Sequence, residues 1–301
     1  MSNPVHTLSS PAKLNLFLEV KGCRQDGFHE LETVMVRTSL CDQIQASCRS
    51  DQRITFTVVG EPALVADVPT DESNLVRKAA AAFQAATGFS SGWNLQLTKV
   101  IPMEAGLAGG SSNAATTLRL LNQLAGDPLQ TEQLHTLAAS LGSDVNFFVE
   151  DCQAAVCTGR GERVASFALK STFYFVVGRP ASGNSTPAVF AQLGKDFEAN
   201  QAARHQTSFE TSDVVVAALK AGDFQQLQLV MLNRLQQPAC QLNPEMAELL
   251  DRMTEICERP AMMSGSGSTC FVCCEDEADA VLVLEKVKSL NPDFCMIVQT
   301  S

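Results

Sequence analysis

The sequence predicts a mixed α and β protein of two parts. Three observations carry that reading. Segments with the period of a strand alternate with segments with the period of a helix. The chain has 301 residues, room for two ordinary domains or one large one. Its composition, 45% hydrophobic and 18% charged, is that of a globular protein able to bury a core without staples.

The elements follow in order. Leu14, Leu16 and Leu18 alternate in "KLNLFLEV" (13–20), which predicts a strand. Residues 52–60 predict a second strand, closed by Gly60. Residues 71–88 open on capping residues and end at Gly88, a helix. Trp93, Leu95 and Leu97 alternate with polar residues over 92–100, a half-buried strand. A glycine-rich stretch comes next, followed by a helix with Ala114, Leu118, Leu121 and Ala125 on its core face. Residues 131–142 form another helix, started by Thr131 and stopped by Gly142. A buried strand over 171–180 opens the second half, and the domain boundary is expected near residues 160–170. Residues 194–213 lack a clear period and predict a long connection or a frayed helix. Helices are expected over 212–224, 243–257 and 277–290, and strands over 269–276 and 294–300.

A formal charge of −11 argues against non-specific nucleic-acid binding, which needs Lys and Arg against phosphates. Eleven cysteines, many in apolar runs such as "CFVCC", read as buried thiols of a reducing compartment rather than a disulfide framework. The spacing of Cys270 and Cys273 is half a zinc site, with no second pair or His partner following. "MSNPVHTLSS" has neither a basic head nor an apolar core, and no apolar run approaches a membrane span. A cytoplasmic protein is expected, with monomer and homodimer both open.

The stretch "IPMEAGLAGGSSNAATTL" (101–118) carries the first chemical signal. A helix start leaves backbone N–H groups unpaired at the positive end of the macrodipole, and an anion satisfies both. Ser111 or Ser112 is expected to cap that helix, and Gly106, Gly109 and Gly110 to let the backbone approach a phosphate without a Cβ in the way. No Lys follows as in the G-K-[ST] loop, and G-x-G-x-x-G is absent from the stretch. Taken alone, it reads more readily as a tight turn.

Two further stretches change the balance. "SSPAKLNLFLEV" (9–20) resembles the P-A-K-x-N-L-x-L opening of the GHMP kinases. The glycine stretch resembles their phosphate loop, and "MMSGSGSTCFV" (262–272) their third motif. "GCRQDGFHELETVM" (22–35), "LGSDVNFFV" (141–149), "TGRGERV" (158–164) and "NSTPAVF" (184–190) are similar to segments of the GHMP kinases that act on a diphosphocytidyl-linked methylerythritol. The resemblance implies an α+β, two-domain GHMP kinase fold: an N-terminal domain (1–165) like ribosomal protein S5 domain 2 and a ferredoxin-like C-terminal domain (166–301). It implies ATP and Mg²⁺, a small-molecule alcohol as acceptor, no membrane and no nucleic acid.

It also implies roles. Lys13 and Asp144 match the catalytic pair, Asp144 taking the proton of the acceptor hydroxyl and Lys13 supplying positive charge. Unaided, Asp144 would read as a turn or N-cap residue and Lys13 as a solvated strand end. Pro102, Met103, Glu104, Ala105, Gly106, Leu107, Ala108, Gly109, Gly110, Ser111 and Ser112 match the ATP phosphate loop, with Ser112 a candidate Mg²⁺ ligand. Asn74 and Lys99 match positions near the adenine and ribose. Asn15, Phe28, His29 and Thr186 match substrate positions, Phe28 stacking on the cytosine and His29 bonding its edge. The bland alternative for Phe28 and His29 is a core ring beside a surface imidazole.

Departures from the pattern are also visible. Glu104 puts a carboxylate in the phosphate loop and is expected to point outward or toward Mg²⁺. Arg234 and Gln236 stand where acids are usual, and Ser268 where Pro is common. Competing readings are another GHMP small-molecule kinase, acting on mevalonate or homoserine, and a catalytically dead nucleotide-binding regulator. Gly27–Phe28–His29 argues against the former, and the presence of both Lys13 and Asp144 against the latter.

Overall fold

Two long strands set the frame of the computed structural model, which describes residues 4–25, 27–199 and 211–301. β1 (His6–Cys23) and β2 (His29–Cys48) pair antiparallel from His6–Ala46 to Cys23–His29. Register shifts between Pro11 and Lys13 and between Asn15 and Phe17 bracket Lys13 and Asn15. Bulges of this kind re-aim the side chains beside them.

β3 (Ile54–Gly60) runs parallel to β4 (Trp93–Lys99), which pairs with the Gln43–Cys48 end of β2. Between them lie the one-turn α1 (Pro62–Val65) and α2 (Leu75–Thr87), capped by the Asn74 side chain and closed by left-handed Gly88. α3 (Gly109–Leu124), α4 (Thr131–Leu141) and the short α5 (Val145–Val149) follow. α4 begins at Thr131, where the sequence predicts. Gln130 is the cap, its N–H donating to Gln133 Oε1 at 2.9 Å. β5 (Ala154–Gly159) pairs with the Leu31–Val36 end of β2, and β6 (Arg163–Phe167) with β5. One core lies between this sheet and its helices, with Phe83, Trp93, Leu97, Leu118 and Phe147 fully buried.

The chain then enters a second sheet of order β11-β7-β10-β9: β7 (Tyr174–Arg179), β9 (Ala261–Met263), β10 (Cys270–Cys274) and β11 (Phe294–Gln299). Its helices are α6 (Thr186–Ala199), α7 (Asp213–Ala221), α8 (Phe224–Val230), α9 (Gln236–Leu242), α10 (Pro244–Cys257) and α11 (Glu277–Lys288). Residues 194–199 are thus the end of a helix, and residues 200–210 lie outside the described residues. The two-residue strand β8 (Leu232–Asn233) returns to the first sheet and pairs parallel with Phe17 and Leu18 of β1.

That return ties the halves together. A second core joins Leu14, Leu16 and Phe17 of β1 to Phe175, Phe271 and Leu219. β1 is therefore covered on both faces, as its near-continuous burial records. A third core lies between the second sheet and α10 and α11. The cysteines are free thiols, and burial pushes the Cys274 thiol up to about 12. Among the described residues no helix is long and apolar enough to cross a membrane.

Leu118 is fully buried in the first core on the helix that follows the glycine stretch. Leu118→Ala is expected to lower the unfolding free energy by about 2–5 kcal/mol, read from urea denaturation.

Candidate active site

Lys13 is the centre of the site. It is a buried lysine, 2% exposed, on a strand with apolar neighbours. A buried ammonium needs acceptors. Its Nζ donates to Asn15 Oδ1 at 2.5 Å and to Gly106 O at 2.6 Å, and its own N–H to Leu107 O at 3.1 Å. β1 thus docks directly on the glycine stretch. The Asn15 amide continues to Thr33 Oγ1 at 2.8 Å, whose hydroxyl donates to Phe17 O at 2.6 Å. Asn15 therefore spends its amide on holding Lys13 and the paired strand.

The third glycine motif closes over the same point. Ser264 Oγ donates to Gly106 O at 3.0 Å, and Thr269 N–H to Ala105 O at 3.1 Å. A Cβ on Gly265 would stand 3.0 Å from Lys13 Nζ, and one on Gly106 only 2.1 Å from Ser264 O. Both glycines also have positive φ. This corrects the expected reason for Gly106, which gives room to the neighbouring protein loop. Gly109 likewise faces Ile101 and Lys99 Nζ, whereas a Cβ on Gly110 would meet nothing closer than Leu75 at 3.5 Å. Of the three, Gly110 alone leaves open approach from outside.

The cap of α3 differs from expectation. Ala108, at φ 54° and ψ 30°, is the N-cap residue, and no side chain caps the helix. Ser111 and Ser112 lie in the first turn instead. Ser112, the candidate Mg²⁺ ligand, is fully buried, its hydroxyl 2.9 Å from Ser10 Oγ. The first N–H groups of α3 lack both an intrahelical acceptor and a side-chain cap, which leaves a positive helix end suited to an anion. Around it, Pro102, Ala105 and Leu107 are buried and Met103 packs against the first core, so those positions offer backbone rather than side chain to a ligand. Glu104 is exposed and leans toward Gly183, with its Oε2 3.1 Å from where a Cβ there would sit.

Asp144 occupies the N-cap position of α5, yet its side chain makes no capping bond. Its Oδ1 lies 3.6 Å from where a Cβ on Gly161 would sit, against the β5–β6 turn. Gly142, two residues earlier, approaches Ser111 in the first turn of α3. Burial pushes the Lys13 ammonium below its ordinary 10.5, and the charge of Asp144 opposes that shift. The two groups therefore feel one another. Cys157 on β5 lies beside them, its thiol pushed up by burial and then by Asp144.

The residues matched to substrate positions form a second group. Phe28 is 49% exposed, with the Arg160 guanidinium 4.7 Å over its ring. His29 stacks on Phe190 at 4.7 Å, and burial lowers its imidazole below 6.5, which favours the neutral form. Thr186 Oγ1 is 2.7 Å from Ser266 Oγ, so α6 reaches the third glycine loop. Asp26 of this motif lies outside the described residues. Two residues matched to the adenine side have other tasks here. Asn74 caps α2 by accepting from Val76 N–H at 2.8 Å, and Lys99 is buried in an ion pair with Asp42 at 2.7 Å.

Sequence reasoning left Phe190, Arg160, Gly265 and Asn233 without roles. Asn233 Nδ2 donates to Met263 O and Gly265 O, bracing the third loop from β8. Arg234 beside it makes two bonds to buried Glu19, at 2.8 and 2.7 Å, and Gln236 Oε1 accepts from Met263 N–H at 2.9 Å. Arg234 thus secures the β8 edge of the first sheet, and Gln236 ties α9 to β9 of the second. The glycine motif and the aromatic in "NSTPAVF" were the available signals for Gly265 and Phe190. Among the described residues no group of three His, Cys, Asp or Glu side chains could hold a metal ion.

Known proteins match this chain throughout. The model of the GHMP kinases N terminal domain matches residues 74–156, and that of the GHMP kinases C terminal matches residues 215–293. A 4-diphosphocytidyl-2-C-methyl-D-erythritol kinase of Nocardia farcinica is 39% identical over 274 residues, 91% of this chain and 86% of that protein. The protein of that name from Shouchella clausii is 35% identical over 273 residues, 91% of this chain and 87% of its own. A crystal structure of 4-(cytidine 5'-diphospho)-2C-methyl-D-erythritol kinase superposes with a TM-score of 0.79 at 30% identity, covering 98% of this chain and 100% of that one. A mevalonate kinase of L. major shares the fold, with a TM-score of 0.73 at 15% identity over 100% of this chain and 99% of that one.

The burial of Lys13 has a measurable consequence. Between its depressed folded-state value and 10.5 the unfolded chain binds a proton that the folded chain does not, so stability rises with pH in that window. The stability of the parent protein relative to Lys13→Met is therefore expected to rise as pH climbs toward 10.5, read from denaturation at a series of pH values.

Proposed function

The chain belongs to the GHMP kinase family and, within it, to the 4-diphosphocytidyl-2-C-methyl-D-erythritol kinases, and from that membership we propose that it phosphorylates the 2-hydroxyl of 4-diphosphocytidyl-2-C-methyl-D-erythritol in the non-mevalonate route to isoprenoids. It is an ATP-dependent phosphotransferase. The observation that carries the phosphoryl-transfer reading is the meeting of Lys13, both glycine loops and the segment bearing Asp144 at one uncapped helix end.

The triphosphate tail lies along the start of α3. The free N–H groups there take the β- and γ-phosphate oxygens, helped by Gly110 and Ser111. The acceptor alcohol lies between Asp144 and the γ-phosphorus. Its oxygen attacks phosphorus, its proton passes to the Asp144 carboxylate, and the bond from the γ-phosphorus to the bridging oxygen breaks to release ADP. Lys13 stays fixed by Gly106 and Asn15 and neutralises charge as it develops. On the other side, the exposed face of Phe28 stacks on the cytosine, and neutral His29, held by Phe190, offers one donor and one acceptor to the base edge. The protein works in the cytoplasm.

The direct test mixes the protein with Mg-ATP and the diphosphocytidyl substrate and follows phosphorus NMR. A new phosphomonoester is expected. Turnover of mevalonate or homoserine in its place, or of none of the three, would overturn the reading. Asp144→Asn is expected to keep ATP affinity and lose roughly two to four orders of magnitude in kcat. Phe28→Ala is expected to weaken binding of the cytidine substrate by about 1–3 kcal/mol and leave ATP binding as it was, as titration calorimetry would show.

A further inference from the structure

Beneath the start of α3 lies a fully buried carboxylate that the chemistry above does not use. Asp42, on β2, is 0% exposed. Its Oδ1 accepts the N–H groups of Val100 at 2.7 Å and Ile101 at 2.8 Å. Its Oδ2 accepts from Lys99 Nζ at 2.7 Å and from Asn113 Nδ2 at 2.9 Å. Asn113 is in the first turns of α3 and also donates to Ser10 Oγ at 2.9 Å, which in turn meets Ser112. Lys99 Nζ lies 3.2 Å from where a Cβ on Gly109, the first residue of α3, would sit.

The arrangement is economical in a physical sense. Residues 100 and 101 are where the chain leaves β4 to begin the glycine stretch, and residues 109–113 are where that stretch becomes helix. One carboxylate group holds both ends. One oxygen takes the entry backbone and the other takes the helix side, through Lys99 and Asn113. The loop between them includes Glu104, Gly106 and Ala108, all at positive φ, a conformation that residues other than glycine adopt at a cost. A loop of that kind keeps its shape only when its ends are fixed. The donors to Asp42 have little alternative. Lys99 is 4% exposed and Asn113 3% exposed, so neither can turn to water.

We infer that Asp42 is a positioning residue for nucleotide binding. Together with Lys99 it clamps the two ends of the glycine stretch, so that the free N–H groups of α3 face the phosphates before ATP arrives. Lys99 then acts from beneath the loop rather than as a ligand of the nucleotide. The inference rests on the reading of this loop as the ATP phosphate site.

The test uses paired variants, because a lone Asp42 substitution would leave the Lys99 ammonium buried and unpaired. Asp42→Ser with Lys99→Met removes both charges and the bridge. Asp42→Asn with Lys99→Met also removes both charges but keeps an amide oxygen for the Val100 and Ile101 N–H groups. Binding of a non-hydrolysable ATP analogue and of the diphosphocytidyl substrate is measured by calorimetry on the folded full chain. The serine pair is expected to weaken analogue binding by roughly tenfold or more, as small misplacements of a binding group do. Substrate affinity should stay at the parent value, and the asparagine pair should recover most of the analogue affinity. Parent-like analogue binding by the serine pair would overturn the inference. So would equal losses for both ligands, or failure of both pairs to fold, since Asp42 would then serve the core alone. A parent protein that binds no ATP analogue would instead defeat the reading of the loop itself, so the two failures are distinguishable.

Discussion

A lysine ammonium held away from water is the constraint on which this site depends. Lys13 sits on a strand covered on both faces, and its charge must be met by oxygen from inside the protein. The oxygens come from two places, the Asn15 side chain one pleat along and the Gly106 carbonyl of a distant loop. Meeting that demand fixes the glycine stretch against β1. Burial disfavours the charged form, and the carboxylate of Asp144 counters it, so the segment that carries Asp144 belongs to the same arrangement. The proposed catalytic group is thus also a folding constraint.

The glycines show how tightly the loops are joined. Gly106 and Gly265 face one another's segments at distances that admit no side chain. The third motif is thus a packing partner for the glycine stretch. Asn233, reaching from β8 to two carbonyls of the third loop, adds a brace from the first sheet's own edge. Arg234 next to it bonds buried Glu19, so an acid-to-base change in the sequence is matched by an acid on the facing strand.

Much of the fold was legible because its signals are local. α2 and α10 carry Asn caps and a clear apolar period, and β4 alternates as its burial does. β2 was missed, since its 20 residues serve different partners at each end and carry no single alternation. The residues of the site were legible as motifs, whereas their partners were not. A sequence shows a hydroxyl after two glycines, but which way the first helical turn faces depends on the φ of Ala108, and that turn sends Ser112 inward to Ser10. It shows a lysine before the loop, but not that Asp42, 57 residues earlier, takes its charge. Asp42 itself sits in "SLCDQIQ" with nothing nearby to mark it. Long-range pairing is invisible to spacing and decides these cases.

The pairing of β8 with β1 bears on how the molecule is made. The strand that completes the outer edge of β1 is supplied from residues 232–233, and the apolar side chains of Leu14, Leu16 and Phe17 are covered by Phe175 and Phe271. Translation delivers those partners late. While the ribosome is still reading the second half, the first half stands with a bare sheet edge and an uncovered greasy face, the condition in which nascent chains stick to one another or are taken up by chaperones.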